Sequence, residues 1–235
     1  MNQGRTLKFL NTMPALIAMA MLTGSNVASA GASLVFNYPN GFAGASGAIR
    51  GAWAASIVGS ALNVTSTGVE HEAGGAWYTT QQNITSFTTD FTFQIDPSGA
   101  VPSIQGITFC IQNTNATTNS NAYGTNASSD ANLAGYGTYA LGGQQAMMKS
   151  MAVLFNLNNN SQQNYPSGGH PSATGLYING GPVAALVPEI DLNPSGVNLH
   201  SGDTMAAHIV YDGSILTMTL RDTVTNAQFR QSCPP

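Results

Sequence analysis

The sequence predicts an all-β domain, built as an antiparallel β-sandwich or jelly roll, and three observations support this. Short segments rich in Val, Ile, Thr, Phe and Tyr recur between clusters of Gly, Asn, Ser and Pro, as expected for strands joined by turns. No long stretch has the periodicity of an amphipathic helix, so we expect no helix beyond one or two turns. The chain has 235 residues, a length that suits one β domain.

The segment from Phe87 to Ile95 has the clearest strand pattern, because apolar and polar residues alternate along most of it. Phe91 and Phe93 share its apolar face, which predicts a half-buried strand of an antiparallel sheet. Asp212-Gly213 is the strongest turn dipeptide and lies between two predicted strands. In chain order the predicted strands are Leu34 to Tyr38, Ala61 to Ser66, Gly75 to Thr80, Phe87 to Ile95, Gly106 to Gln112, Lys149 to Leu157, Ala173 to Ile178, Val197 to Leu199, Thr204 to Tyr211, Ser214 to Arg221, and a start at Ala227 to Phe229.

Residues 1–30 have the three parts of a secretory signal peptide. Two basic residues are followed by Pro14 to Leu22, an apolar stretch too short to span a bilayer stably. Ala28-Ser29-Ala30 is a small-x-small cleavage site. We therefore predict a single mature domain from Gly31 to Pro235, secreted to the extracellular space or the periplasm, with no transmembrane segment after the leader is removed.

The mature domain is predicted to be acidic. Removing Arg5 and Lys8 with the leader leaves four basic residues against ten acidic ones, a net charge of −6. Without a basic patch, such a surface repels phosphates. We expect no nucleic-acid partner.

Cys110 and Cys233 are the two cysteines of the chain. An oxidising destination permits one disulfide between them, but the sequence does not show whether their Cα atoms approach closely enough. Cys110 lies in an apolar run and is expected to face a core. Both states, one bridge or two thiols, stay open.

The stretch from Ser150 to Gly180 predicts a hairpin that carries a site. Two β-prone segments enclose a loop of Asn, Gln, Ser and Gly residues with one imidazole, His170. Between Met151 and Pro188 there is no carboxylate. Neutral amide oxygens suit sugar hydroxyls, or a weakly held metal, better than acid–base chemistry.

Seven segments in this order resemble the L-type (legume) lectin domain in its bacterial and secreted branch. They are GAWYTT, FTTDFTFQID, GITFCIQN, AGYG, MAVLFNLNNN, SATGLYING and NLHSGDTMAAHIVYDGSILTMTL. The resemblance runs from Leu34 to Ser232 and rests on the ordered set. It implies a concanavalin-like lectin fold with two antiparallel sheets, one of them curved and carrying loops that bind sugar beside calcium and a transition metal.

The resemblance also implies a set of sugar-binding residues. Gln105 stands where the family has its sugar-binding Asp, and Asn160 matches the Asn that contacts both sugar and calcium. The Gly of the next loop falls at Ala131 to Leu133, and Asp130 is a candidate to replace the missing carboxylate. The predicted carbohydrate-binding residues are Gln105, Asp130, Asn132, Gly135 and Asn160.

The metal-binding residues implied by the resemblance are changed in this chain. Leu154 stands at the family's Glu, Asn156 at an Asp, and Tyr165 at a second Asp. Calcium affinity rises with the number of carboxylate ligands, and Leu154 is no ligand for a transition metal. The remaining candidates are Asn156, Asn158 through its backbone carbonyl, Asn160 and His170. We expect calcium to be held weakly if at all, and metal dependence to be weakened or lost.

These features predict a non-catalytic carbohydrate-binding protein with glycans as partners, and two other hypotheses stay open. The first is a structural or adhesive module that kept the fold and lost the ligand. The second is a jelly-roll glycosidase, because Glu189-Ile190-Asp191 resembles a Glu-x-Asp pair of catalytic carboxylates. Asn193 and Pro194 stand where a third acid is needed, so we do not expect an enzyme.

The resemblance implies further strands and a sugar-selecting loop after the QSCP segment at Gln231 to Pro234, where this sequence ends. We therefore expect a domain that lacks its last strands. Open sheet edges favour aggregation or pairing with a partner, so lowered stability is expected. The sequence predicts neither the sugar nor the oligomeric state.

Overall fold

The protein forms two antiparallel sheets with two short ribbons beside them. The structure is a computed structural model, and it describes residues 7–8, 37–65, 74–95, 106–113, 149–157, 170–179, 181–182 and 189–233. The strands are β1 Leu7–Lys8, β2 Ile49–Trp53, β3 Ser56–Val58, β4 Ala61–Asn63, β5 Gly74–Tyr78, β6 Phe87–Ile95, β7 Gly106–Gln112, β8 Ser150–Asn156, β9 Ala173–Ile178, β10 Gly181–Pro182, β11 Ile190–Asp191, β12 Thr204–Tyr211, β13 Leu216–Asp222 and β14 Gln228–Cys233. Among these residues the one helical element is a 3-10 turn at Asn193–Ser195.

The first sheet has the strand order β1-β6-β12-β13-β14. Its strands β12 and β13 form a hairpin in which Tyr211 pairs with Leu216, so the connection has four residues, 212–215. The Asp212 carboxylate accepts hydrogen bonds from the backbone N–H groups of Ser214 and Ile215, both at 2.8 Å. The Asp-Gly pair thus begins a longer turn than the two-residue turn that it most often forms.

The second sheet has the order β10-β9-β8-β7, and β11 pairs with β9 beside β10. The register places Phe155 of β8 opposite Ile107 of β7 and Thr174 of β9. β11 pairs Ile190 with Thr174 and Asp191 with Ala173. The segment that begins at Glu189 is therefore held against the start of β9.

The core lies between the two sheets and confirms the predicted sandwich. Phe91 and Phe93 of β6 contact Phe109 of β7 and Phe155 of β8, with ring centroids 4.9 to 6.3 Å apart. The burial of β6 follows the predicted alternation along most of the strand, with Asp90 exposed between buried neighbours, but Thr92 of the polar face is buried as well. An aromatic contact of this kind adds to the apolar burial that holds the sheets together.

The second sheet is buried on both faces. Val153 and Phe155 of β8 belong to the core between the sheets, whereas Ala152, Leu154 and Asn156 are buried on the opposite face. Side chains on that face include Cys110 and Tyr177, which flank Ala152 in the register. This second buried face is where the candidate site is built.

Several predicted elements differ from those observed. Val197 to Leu199 is not a strand; Val197 and Leu199 are buried in the core at the end of a loop. Ala61 to Ser66 is a strand only as far as Asn63, and Leu34 to Phe36 lie outside the described residues. The strand begun at Ala227 to Phe229 is confirmed and extends to Cys233.

Cys110 and Cys233 are buried, and neither forms a disulfide. Cys110 lies in β7 on the outer side of the second sheet, and Cys233 ends the edge strand of the first sheet opposite Leu216. Of the two states left open by the sequence, the structure has two thiols.

The described parts of the chain contain no helix that is both long enough and apolar enough to cross a bilayer. In the first thirty residues, the structure describes Leu7–Lys8, which pair with Ile95 and Gln94 at the edge of β6. The remainder of the predicted leader lies outside the described residues.

Candidate functional site

The hairpin of β8 and β9 brings the first predicted site residue into place. Asn156 is the last residue of β8 and is fully buried, although it carries a polar amide. Side chains alternate along a strand, so the face of β8 opposite Phe155 includes Asn156. A buried amide without a partner costs free energy, and Asn156 has one.

Glu189 supplies that partner. The Nδ2 atom of Asn156 donates a hydrogen bond to Oε2 of Glu189 at 2.8 Å, and the hydroxyl of Tyr177 donates to Oε1. Both carboxylate oxygens therefore accept a hydrogen bond. Gly175 makes room for the cluster, because a Cβ there would lie 3.1 Å from Cγ of Glu189 and 3.2 Å from Cε2 of Tyr177.

The environment of Glu189 changes its acidity. Burial raises the pKa of its carboxyl above the ordinary value of 4.5, while the hydrogen bonds from Tyr177 and Asn156 and the charge of His170 act in the opposite direction. Burial is the larger effect, because the carboxylate loses water that two donors replace only in part.

His170 lies at the other end of the hairpin connection. Its Nδ1 atom is 3.4 Å from Oδ2 of Asp191. Oδ1 of Asp191 accepts hydrogen bonds from the backbone N–H and the side-chain amide of Asn193, at 2.9 and 2.7 Å. His170 is 42% exposed and Asp191 27%, so the pair is open to solvent and weak on its own.

A third contact joins His200 to the hairpin. The Nε2 atom of His200 lies 3.1 Å from the carbonyl oxygen of Leu157. Because a carbonyl only accepts, this nitrogen carries the proton. His200 lies in a turn and is partly buried.

Ser172 completes the contacts between the hairpin and the segment that follows Glu189. Its hydroxyl donates to the carbonyl of Val197 and accepts from the N–H of Leu199, at 3.3 and 3.1 Å. Its carbonyl accepts from the N–H of Leu192 at 2.9 Å. Ser172, Leu192, Val197 and Leu199 are buried, so water does not compete for these bonds.

The structure describes two of the predicted site residues, Asn156 and His170, and places both in the contacts of the segment Glu189 to His200. The other predicted residues lie outside the described residues and stay predictions. They are Gln105, Asp130, Asn132, Gly135 and Asn160 for carbohydrate, and Asn158 and Asn160 for metal.

The residues described here do not fit a transition-metal ion. Leu154, at the position of the expected Glu, is an apolar side chain with 1% exposure. The Asn156 amide donates an N–H to Glu189, and its remaining oxygen is a neutral ligand in place of a carboxylate. Within the described ranges no three His, Cys, Asp or Glu side chains form a group that could hold a metal ion. Calcium ligands from Asn158 and Asn160 remain a prediction.

Glu189, Tyr177 and His200 are residues that sequence reasoning did not assign to this site. Glu189 was considered only as half of a catalytic carboxylate pair. One signal was present: the chain has a single Glu after a long stretch without carboxylates, and a buried amide on a neighbouring strand needs an acceptor. Asn156 and Glu189 are 33 residues apart in the sequence, so no local pattern predicted their hydrogen bond.

Comparison with known proteins identifies the family. The family model of the legume lectin domain matches residues 33–233. The chain belongs to the legume lectin family. This legume lectin domain is therefore recognised across both sheets and the hairpin described above.

Solved structures of legume lectins have the same fold. Lectin II from Ulex europaeus is 17% identical, with a TM-score of 0.53 over 80% of this chain and 77% of that one. The winged bean acidic lectin, solved with methyl-α-D-galactose, is 20% identical, with a TM-score of 0.52 over 78% of this chain and 74% of that one. Arcelin-5, a lectin-like defence protein from Phaseolus vulgaris, is 18% identical, with a TM-score of 0.52 over 80% of this chain and 76% of that one. The comparison with curated protein sequences gave no match.

Proposed function

We propose that this legume lectin domain is a secreted, non-catalytic carbohydrate-binding protein whose dependence on metal ions is weakened or lost. The bond from Asn156 to Glu189 is the observation that carries the metal part of the proposal. Where the resemblance implies an Asp that ligates metal, this chain has an amide that donates to a carboxylate.

Family membership supports carbohydrate binding. The winged bean acidic lectin is solved with methyl-α-D-galactose, and lectin UEA-II is solved with galactose. The proposed sugar site combines Asn160 of the hairpin connection with Gln105, Asp130, Asn132 and Gly135. Amide side chains donate and accept hydrogen bonds, so they recognise hydroxyl groups without a net charge.

Calcium is proposed as a weak ligand at most. Asn156, Asn158, Asn160 and His170 are its candidate ligands, and they contribute no carboxylate. A hard cation bound by neutral oxygens keeps its charge uncompensated. Weak binding then fills the calcium site only at high calcium concentration.

The non-catalytic part of the proposal rests on the surroundings of Glu189 and Asp191. Both oxygens of Glu189 accept hydrogen bonds, from Asn156 and Tyr177. Both oxygens of Asp191 are engaged, with Asn193 and His170. A glycosidase needs two carboxyl groups that flank an open sugar position. Absence of reducing-sugar release from β-glucans by the purified protein is the expected result.

Secretion is proposed from the leader-like residues 1–30, with the mature domain beginning at Gly31. The N-terminal sequence of protein recovered from the medium or periplasm tests this. A protein retained in the cytoplasm with Met1 intact contradicts it.

The experiment for the main proposal is a glycan array probed with the purified, processed protein in calcium and again in EDTA. Binding that survives EDTA is the expected result. Binding abolished by EDTA contradicts the loss of metal dependence. No binding by folded protein favours the second candidate, a structural or adhesive module, which the buried Leu154 at a ligand position also favours.

A further inference from the structure

We propose that the segment Glu189 to His200 is a protein clamp that holds both ends of the hairpin connection through direct contacts of the chain. The proposal rests on the proposed function, since it names the residues that position the candidate sugar-binding loop. Those positioning residues are Glu189, Asp191 and His200.

The clamp contacts both ends of the same connection. On the β8 side, Glu189 accepts from Asn156 and His200 donates to Leu157. On the β9 side, Asp191 lies beside His170, and the backbone of the clamp binds Ser172 as described above. The twelve residues 158–169 lie between these two groups of contacts in the sequence.

The clamp is itself anchored in the fold. Residues Ile190 and Asp191 pair with β9, and the 3-10 turn that follows has Pro194 in its first turn. The hydroxyl of Ser195 donates to the carbonyl of Leu192 at 2.6 Å. Leu192 and Val197 are fully buried in the core between the sheets. A rigid element with several buried contacts can transmit its position to a loop.

The inner contacts of the clamp are shielded from water. Asn156 and Glu189 are buried, at 0% and 7% exposure. Removing either side chain takes away one hydrogen bond in a place where water does not replace it. The solvent-open His170–Asp191 contact contributes less, so we place the main holding force on the β8 side of the connection.

The donor set explains why protein and metal are alternatives here. A metal ion holds loop residues by accepting lone pairs from carboxylates and carbonyls. In this chain the Leu157 carbonyl accepts a hydrogen bond from the Nε2–H group of His200. The Asn156 side chain donates to Glu189, so the same end of the connection is held without an ion.

The test compares His200→Ala, His200→Gln and a matched control, His208→Ala, in the full chain after natural processing. His208 lies on the first sheet, in contact with Asp90 and away from the hairpin. Gln retains an N–H near the position of Nε2, so His200→Gln is the conservative variant. Asn156→Ala and Glu189→Gln extend the series.

The first readout is amide hydrogen exchange of residues 150–157 and 170–178, measured in EDTA and in excess calcium and manganese. We expect exchange at these residues to be unaffected by EDTA in the natural protein. His200→Ala should speed it about five- to tenfold, the effect of one lost hydrogen bond, while residues 204–211 keep their natural rate. His200→Gln should restore most of the protection, and His208→Ala should change nothing at the hairpin.

The second readout is binding to the same array of immobilised glycans. Signals should fall at least fivefold for His200→Ala and recover for His200→Gln, with EDTA having no effect on either. If EDTA speeds exchange at the hairpin ends of the natural protein, metal holds them and the proposal is overturned. The same follows if His200→Ala behaves as His208→Ala does, or speeds exchange equally in residues 204–211. A folded protein that binds no glycan refutes the proposed function alone, and the exchange data still decide the clamp.

Discussion

The rings of Phe93 and Phe155 lie with their centroids 4.9 Å apart, although the two residues belong to different sheets. Both side chains are fully buried. Phe155 directly precedes Asn156, so the tightest aromatic contact between the sheets lies one residue before the buried amide of the site. The contact between Phe93 and Phe155 therefore holds the end of β8, where Asn156 lies, against the first sheet.

Replacement of either ring should destabilise the domain strongly. For Phe93→Ala and Phe155→Ala we expect losses of about 3–5 kcal/mol in the free energy of unfolding, from lost burial and an unfilled cavity. Phe229→Ala is a suitable control, because Phe229 is only half-buried in the edge strand β14. Urea denaturation measures all three. Equal losses at the three positions would show that the contact between the sheets is not special.

The raised pKa of Glu189 predicts a pH dependence of stability. A carboxyl group that binds its proton more tightly in the folded state contributes stability that is fully present below the unfolded value, 4.5, and lost as pH rises through the folded pKa. Glu189→Gln removes this titration and keeps the shape. The free energy of unfolding of the natural protein, minus that of Glu189→Gln, should fall as the pH rises from 4.5. A difference that instead grows with pH contradicts the raised pKa.

Asp222 should behave in the opposite way. Burial would raise the pKa of this carboxyl, but hydrogen bonds from the backbone N–H groups of Thr225 and Val224 outweigh it, and the pKa lies below 3.8. The carboxylate thereby fixes the turn between β13 and β14. Asp222→Asn should cost about 1 kcal/mol at pH 7, the difference between a charged and a neutral acceptor.

This cost should be constant above pH 3.8 and disappear as the pH falls through the folded pKa. Urea unfolding of the natural protein and of Asp222→Asn measures this cost. The measurements run from about pH 2.5 to about pH 7, the range in which carboxyl groups titrate. A cost that persists at the acid end would assign it to geometry and not to charge.

The two thiols should be unreactive in the folded protein. Burial raises the pKa of Cys110 well above its ordinary value and raises that of Cys233, and the thiolate is the reactive form. Titration with a thiol-specific reagent at pH 8 (about the pKa of a free thiol) should be slow in native buffer. In urea, two equivalents should react at once, because neither cysteine is in a disulfide. A mass lower by two hydrogens, with no thiol released in urea, would instead identify a disulfide.

Most of the fold was predictable because most strands have a recognisable pattern in their own local sequence. The bounds of β6, β7, β9 and β12 agree with those predicted, since alternation or a short apolar run between turn residues marks each one. Val197 to Leu199 was mispredicted for the same reason. Its apolar residues are buried in a loop that packs on the core. Composition does not distinguish such a loop from a strand.

The site was less predictable because its contacts join distant parts of the sequence. Asn156 and His170 were recognised from the family pattern, but the residues that contact them were not. The partner of Leu157 is 43 residues away, and no period or spacing marks such a pair. Resemblance named the positions that had lost their carboxylates; geometry was needed to find Glu189 beside one of them.

The alternation along β8 ties the interior of the domain to its site. Val153 and Phe155 point to one side, and Leu154 and Asn156 to the other. A shift of pairing by one residue would exchange the two sets, bringing an amide into the hydrophobic layer and a phenyl ring toward Glu189. Misfolding of this strand by a single step would therefore abolish recognition and stability together. An insertion or deletion of one residue within Ser150–Asn156 would likewise exchange the two faces of the strand beyond that point.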